Sequence, residues 1–143
     1  MKIQQISLFV ENKPGHISAP ARLLAQEGID IRALFLADTQ QYGIVRMIVS
    51  DWRKAAGILE AHGFVVKVTE VLAVEVSDRP GGLADLLGAL DGSGINIKYM
   101  YAVPDLRDGL AILIFRFDDP DAAIAHLQKA GINLLASDEL LKN

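Results

Sequence analysis

Two four-residue stretches carry the clearest chemical signal in this sequence: Asn12-Lys13-Pro14-Gly15 and Asp78-Arg79-Pro80-Gly81. Each follows an alternating apolar run and precedes a run of helical spacing. A helix start leaves backbone N–H groups without intrahelical partners and carries positive partial charge. Proline has no N–H to leave unsatisfied there, and glycine lets the chain turn while keeping room beside it. The corner is therefore suited to receive a carboxylate through bare N–H groups. Asn12 and Asp78, two residues before each proline, offer a side-chain oxygen that could accept from an ammonium group. The same oxygen could instead cap the helix. Donors beside acceptors match the backbone end of a free amino acid.

Other chemistries find less support. His16, His62 and His126 have no mutual ligand spacing, so no metal site is expected, and His62 sits where a helix dipole favours a partly positive ring. Asp118, Asp119 and Asp121 cluster at a helix start, which accounts for them. No nucleophile elbow and no glycine-rich phosphate loop is present, so neither catalysis nor a cofactor is expected. Arg46 and Arg116 are either ligand-facing or simply exposed strand residues. Tyr99 and Tyr101 are expected to share a strand face with Ile95 and Ile97 and to pack there. The chain has no cysteine, which excludes a disulfide framework and suits a reducing cytoplasm. Its net charge of −4 and pI near 5.3 argue against non-specific nucleic-acid binding. Mean hydropathy is +0.27, enough to fill a core with apolar surface left for a partner, yet the longest apolar run, "LAILIF", is strand-sized rather than membrane-spanning. The opening "MKIQQISLFV" reads as a strand, not a signal peptide. These features predict a soluble cytoplasmic protein.

The elements that must position the corners come twice. Pro14 and Pro80 lie 66 positions apart, as do Gly28 and Gly94, Ile31 and Ile97, and Gly43 and Gly109. After residue 50 the offset becomes 68, pairing Asp51 with Asp119, Leu59 with Leu127 and Gly63 with Gly131. This predicts two copies of one fold, residues 1–70 and 71–143, joined without a flexible linker and rigidly packed. In each copy, period-2 residues (Ile6, Leu8, Val10; Leu72, Val74, Val76) give a first strand. Glycine-terminated helices follow in "ISAPARLLAQEG" and "LADLLGALDGSG". "IDIRALFLA" and "INIKYMYAV" are second strands. "GIVRMIVS" and "GLAILIFRF" are third strands, entered through the turns "ADTQQYG" and "PDLRDG". Second helices start at the N-caps Asp51 and Asp119, with Pro120 at the first helical position and a buried stripe through Trp52, Ala55, Ala56 and Leu59. Last strands are "FVVKV" and "INLLA". The fold class is α+β: two ferredoxin-like βαββαβ repeats, each an antiparallel sheet with its helices on one face.

The scaffold alone does not fix function. "NKPGHI" and "DRPGGL", each followed by an apolar helix and then "EGIDI" or "SGINI", resemble the ACT domain, the amino-acid-sensing module of many biosynthetic enzymes. The resemblance covers both copies and implies a stand-alone regulatory pair. It implies a ligand at an interface between modules, near Asn12, Gly15, His16 and Ile17 in the first copy. In the second it implies Asp78, Gly81, Gly82 and Leu83, with Ile95 and Asn96 closing a site. A regulated enzyme or other protein would receive the signal. The copies differ, however. Pro20 stands where the second copy has Leu86, so the first helix must start late, with Ser18 as its cap, or have a distorted first turn. His16 replaces Gly82, and the second corner is the better match for the carboxylate-holding loop. The second strand, "IRALFLA", would be an apolar sheet edge that calls for a homodimer. Three alternatives remain: an interaction pair without a small ligand, an RNA-binding protein, and a small enzyme on the same scaffold. RNA-binding βαββαβ domains need stacking rings on the third strand, where Leu110 and Ile112 stand instead. An acylphosphatase-type loop would need an arginine near the first strand, and Arg22 lies deep in the helix.

Overall fold

A computed structural model describes residues 1–141, the side chains of 105–107 excepted. The chain runs β1 (Ile3–Glu11), α1 (Ser18–Gln26), β2 (Ile31–Thr39), β3 (Tyr42–Val49), α2 (Trp52–Ala61), β4 (Val65–Ser77), α3 (Gly82–Leu90), β5 (Ile97–Arg107), β6 (Leu110–Phe117), α4 (Pro120–Lys129), β7 (Leu134–Leu135) and α5 (Ser137–Leu140). It forms two compact units, Gln4–Thr69 and Met1–Ile3 with Glu70–Asn143. The division falls inside β4, a single 13-residue strand. The strand order is β2-β3-β1-β4 in the first unit and β5-β6-β4-β7 in the second. The pairs β1–β3, β2–β3, β4–β6, β5–β6 and β4–β7 are antiparallel.

Each core forms where alternating strand residues meet helical stripes. In the first unit Ile6, Leu8 and Val10 of β1 and Val45, Met47 and Val49 of β3 bury against Leu24 of α1 and Ala55, Ala56 and Leu59 of α2. In the second, Leu72, Val74 and Val76 with Leu113, Phe115 and Phe117 bury against Leu86 and Leu90 of α3 and Ala123 and Leu127 of α4. Both helices of each unit therefore cover one face of its sheet. Asp51 and Asp119 cap α2 and α4, accepting from the backbone N–H of Lys54 and Ala122 at 3.1 Å, and Pro120 sits in the first turn of α4.

Four local expectations need correction. The second strands carry a duplicated bulge, between Ile31 and Ala33 and between Ile97 and Tyr99. An extra residue reverses the in–out alternation. Ile95 and Ile97 accordingly pack on the helix-side core, while Tyr99 and Tyr101 pair with Arg116 and Ile114 and leave that face. The connections before the third strands are tighter than the turns read from sequence. β2 runs to Thr39 and turns at Gln40 and Gln41, and β5 runs to Arg107 and turns at Asp108-Gly109, both at positive φ. Arg46 and Arg116 are half-buried rather than exposed; Arg46 donates to the Ser7 hydroxyl at 3.1 Å, and Arg116 to the Phe117 carbonyl. The fourth correction concerns the last strand, read as "INLLA": β7 spans only Leu134–Leu135, and the four-residue α5 follows it.

Candidate functional site

The two Pro-Gly corners share a backbone plan but not a register. Gly15 (φ +80) and Gly81 (φ +87) occupy the left-handed region at equivalent positions, which an L side chain adopts only with strain. From there α3 starts at once at Gly82, whereas α1 starts at Ser18, two residues later in the repeat. Two side chains enforce the delay. A Cβ on Gly82 would stand 2.0 Å from the Ser77 carbonyl oxygen, so the tight closure of the second corner tolerates glycine only, and His16 cannot reproduce it. Pro20, buried, would clash with the carbonyl of residue 16 if the helix began there; in the observed first turn it withholds only an N–H that would be free anyway.

Asn12 and Asp78 cap neither helix. The cap positions fall to Ile17 and Gly81, without a side-chain cap, so Ser18 is the first helical residue rather than the cap. Asn12 ties its corner to the β2–β3 turn instead. Its amide donates to the Gln40 carbonyl and its backbone N–H to the Gln41 carbonyl, both at 2.9 Å. The backbone N–H of Asp78 bonds the Gly109 carbonyl of the equivalent turn at 3.0 Å. Each corner is thus pinned to a hairpin, and the first-turn N–H groups (Ser18 and Ala19, or Leu83 and Ala84) remain without intrahelical partners.

Beside each corner lies a cleft within its own unit. The first, about 360 Å³, is bounded by Phe9, Lys13, Gly15, His16 and Ala19 on one side and Gly63, Phe64 and Val65 on the other. The second, about 370 Å³, is bounded by Glu75, Ser77, Gly82 and Asp85 and by Gly131, Ile132 and Asn133. The repeat offsets map one set onto the other: Phe9 to Glu75, Ala19 to Asp85 and Val65 to Asn133. Electrostatically the clefts differ. The first holds a Lys13–Glu11 ion pair at 3.3 Å, and the first turn of α1 has no acidic residue. In the second, Asp85 stands in the first turn of α3 and pairs with Arg79, whose guanidinium also donates to the Pro80 carbonyl. The backbone N–H of Gly82 is bonded to the Arg79 carbonyl at 3.0 Å. His16 is half-buried, with Nδ1 enclosed and without a hydrogen-bond partner.

The residues named from sequence are therefore partly gathered. Gly15 and His16 line the first cleft and Gly82 the second, while Ile17 turns onto the core. Asn12, Asp78, Gly81 and Leu83 belong to the corners but do not border the clefts. Ile95 and Asn96 stand at the far end of α3, a 9-residue helix about 13 Å long. There the Asn96 N–H bonds the Asp118 carboxylate at 3.1 Å. The turns Gly63–Val65 and Gly131–Asn133 were missed as walls. The matched glycines at the 68-residue offset were the available signal. Among the described residues no three His, Asp or Glu gather as a metal cage, and no helix is long and apolar enough to cross a membrane.

Comparison with known proteins gives a consistent picture. A family model described as "ACT domain pair" matches residues 1–143. Protein BT0572 from Bacteroides thetaiotaomicron is 36% identical, with a TM-score of 0.92 over 100% of this chain and 98% of its own. The regulatory subunit of aspartate kinase from Thermus thermophilus, in ligand-free form, shares the fold at 19% identity and TM-score 0.63, covering 89% of this chain and 91% of its own. Aspartate kinase from Synechocystis is similar at 23% identity and TM-score 0.60, over 94% of this chain and 26% of the kinase. No curated protein matches.

Proposed function

The chain belongs to the ACT domain pair family, and from that premise we propose that it is a non-catalytic regulatory module. It binds a free amino acid or a close analogue at its Pro-Gly corners and passes the signal to a partner protein. Residues 1–70 and 71–143 are the two ACT modules. The observation that carries this reading is the duplicated corner: an uncapped helix start with free N–H groups, pinned to a hairpin and bordered by an amino-acid-sized cleft. The Thermus protein of like fold is a regulatory subunit, which supports a signalling role for the pair.

Regulation then works by differential binding. A zwitterion held at the first-turn N–H groups favours one arrangement only by as much as it binds that arrangement better. The chain acts as a homodimer, paired along β2, which among the described residues has β3 as its one strand neighbour and whose Leu34 and Leu36 are 51% and 46% exposed. A ligand can be shared at the seam between two chains paired in this way. Thermal unfolding against the common free amino acids tests the function. One selective responder, adding about 2.7 kcal/mol at a hundredfold above its Kd, supports it. A flat response across the panel contradicts it and leaves a pair that works by protein contact alone.

A further inference from the structure

Two strands carry the chain from one compact unit to the other, and neither breaks on the way: β1 crosses between Ile3 and Gln4, and β4 between Thr69 and Glu70. β1 and β4 are hydrogen-bonded neighbours, so the repeats are joined by a two-stranded ribbon rather than by one linker. One strand of that ribbon ends in the chain terminus, and Met1–Ile3 group with Glu70–Asn143 rather than with the repeat that follows them. We propose that Met1–Ile3 form a releasable strap: seated on α4 it braces the second repeat at the crossing, and lifted it lets that end of the repeat open. The strap acts in this way whatever the pair binds.

The strap has a grip and a hinge. At the grip, Lys2 Nζ lies 2.9 Å from the Asp121 carboxylate and 3.8 Å from that of Glu70, and Gln128 Nε2 donates to the Met1 sulfur at 3.2 Å. Asp121 and Gln128 are two helical turns apart, so one face of α4 meets both terminal side chains. The hydrogen bond to Asp121, aided by the charges of Glu70 and Asp119, holds the Lys2 ammonium above the usual lysine range. The lysine is therefore charged at any pH near neutrality. Yet the side chains of Lys2 and Asp121 are 31% and 77% exposed, and an ion pair so open to water adds modestly and weakens with salt. That makes the tip of the strap easy to lift, while Ile3, buried, anchors it behind. Thr69 marks the hinge. Its Oγ1 is enclosed and without a hydrogen-bond partner, at the residue where β4 crosses. Native structures rarely leave such a hydroxyl unsatisfied, and opening of the ribbon to water relieves the cost. A brace is useful here because β7, the last strand of the second repeat, is two residues long and pairs with Ala73 and Val74 of β4.

Amide hydrogen exchange of the full chain, with nothing added before Met1, reads the position of the strap. Lys2→Glu sets a carboxylate against Asp121, Glu70 and Asp119. It speeds exchange about threefold or more in Glu70–Leu72 and in the first turn of α4, and changes α1 and α2 less than about twofold. Lys67→Glu makes the same charge change at an exposed position of β4 and leaves α4 as it was. Thr69→Val replaces the unpartnered hydroxyl by a methyl of like shape, and slows exchange in the segments that Lys2→Glu speeds. Equal acceleration of both repeats by Lys2→Glu means that the lysine adds only to overall stability, and overturns the strap. An α4 indifferent to Lys2→Glu overturns it as well. Faster exchange in Thr69→Val removes the hinge and overturns a strap that lifts at that crossing.

Discussion

Gly82→Ala isolates the geometry that separates the two corners. The added methyl would stand 2.0 Å from the Ser77 carbonyl oxygen, and backbone cannot swing aside as a flexible side chain can. To reach even the shortest tolerated contact, the first turn of α3 must retreat by about 1 Å. That movement strains two bonds, Gly82 N–H to the Arg79 carbonyl at 3.0 Å and Asp85 N–H to the Gly81 carbonyl at 2.9 Å. Overpacking of this kind costs about 1–3 kcal/mol, and one lost hydrogen bond about 0.5–1.5. The helix preference of alanine over glycine returns at most about 1 kcal/mol. The expected net loss is about 2–3 kcal/mol. Gly88→Ala serves as the matched control: it lies in the same helix, exposed, with nothing within 4 Å of its new Cβ. It should gain about 0.5–1 kcal/mol. Urea unfolding of both variants measures the difference directly through the midpoint. If Gly82→Ala proves as stable as Gly88→Ala, the close approach of α3 to the end of β4 is wrong, and with it the explanation of why the corners differ.

The remaining predictions address caps, the histidine and the edge. Asp51→Ala and Asp119→Ala should each lower stability by about 1 kcal/mol, because each removes an acceptor from a first-turn N–H, and urea midpoints will show it. His16→Ala removes an enclosed, unpartnered nitrogen. It should cost less than about 0.5 kcal/mol in stability yet weaken ligand binding measurably, a separation that a purely structural histidine would not show. If the chain pairs along β2 as proposed, Leu34→Lys combined with Leu36→Lys should halve the mass read by light scattering after size exclusion, since the pair replaces exposed apolar edge with charge. A wild-type chain that is already monomeric contradicts dimerisation along that edge.

Much of this architecture was legible because period and punctuation agree. Ile6, Leu8 and Val10 alternate and are buried, Ala55, Ala56 and Leu59 recur at helical spacing and are buried, and Asp51 and Asp119 cap the helices that follow them. The bulges at Ile31–Ala33 and Ile97–Tyr99 were not legible, because one extra residue leaves composition untouched while reversing every facing beyond it. For the same reason Tyr99 and Tyr101 were assigned the wrong face. The corners were visible as Pro-Gly repeats, and the late start of α1 followed from Pro20. That Asn12 reaches Gln40 instead of capping the helix depends on a hairpin turn 28 residues away, which no local pattern encodes. The clefts depend likewise on turns distant in sequence, so Phe64 and Val65 carried no mark of their role.

The most direct test of the account is amide mapping by NMR during titration with whichever amino acid raises the unfolding temperature. Saturable shifts centred on the first-turn N–H groups, Ser18 and Ala19 above all, are the expected result. Shifts confined to residues away from both corners, with those amides unmoved at saturation, would contradict a carboxylate held at the Pro-Gly bend.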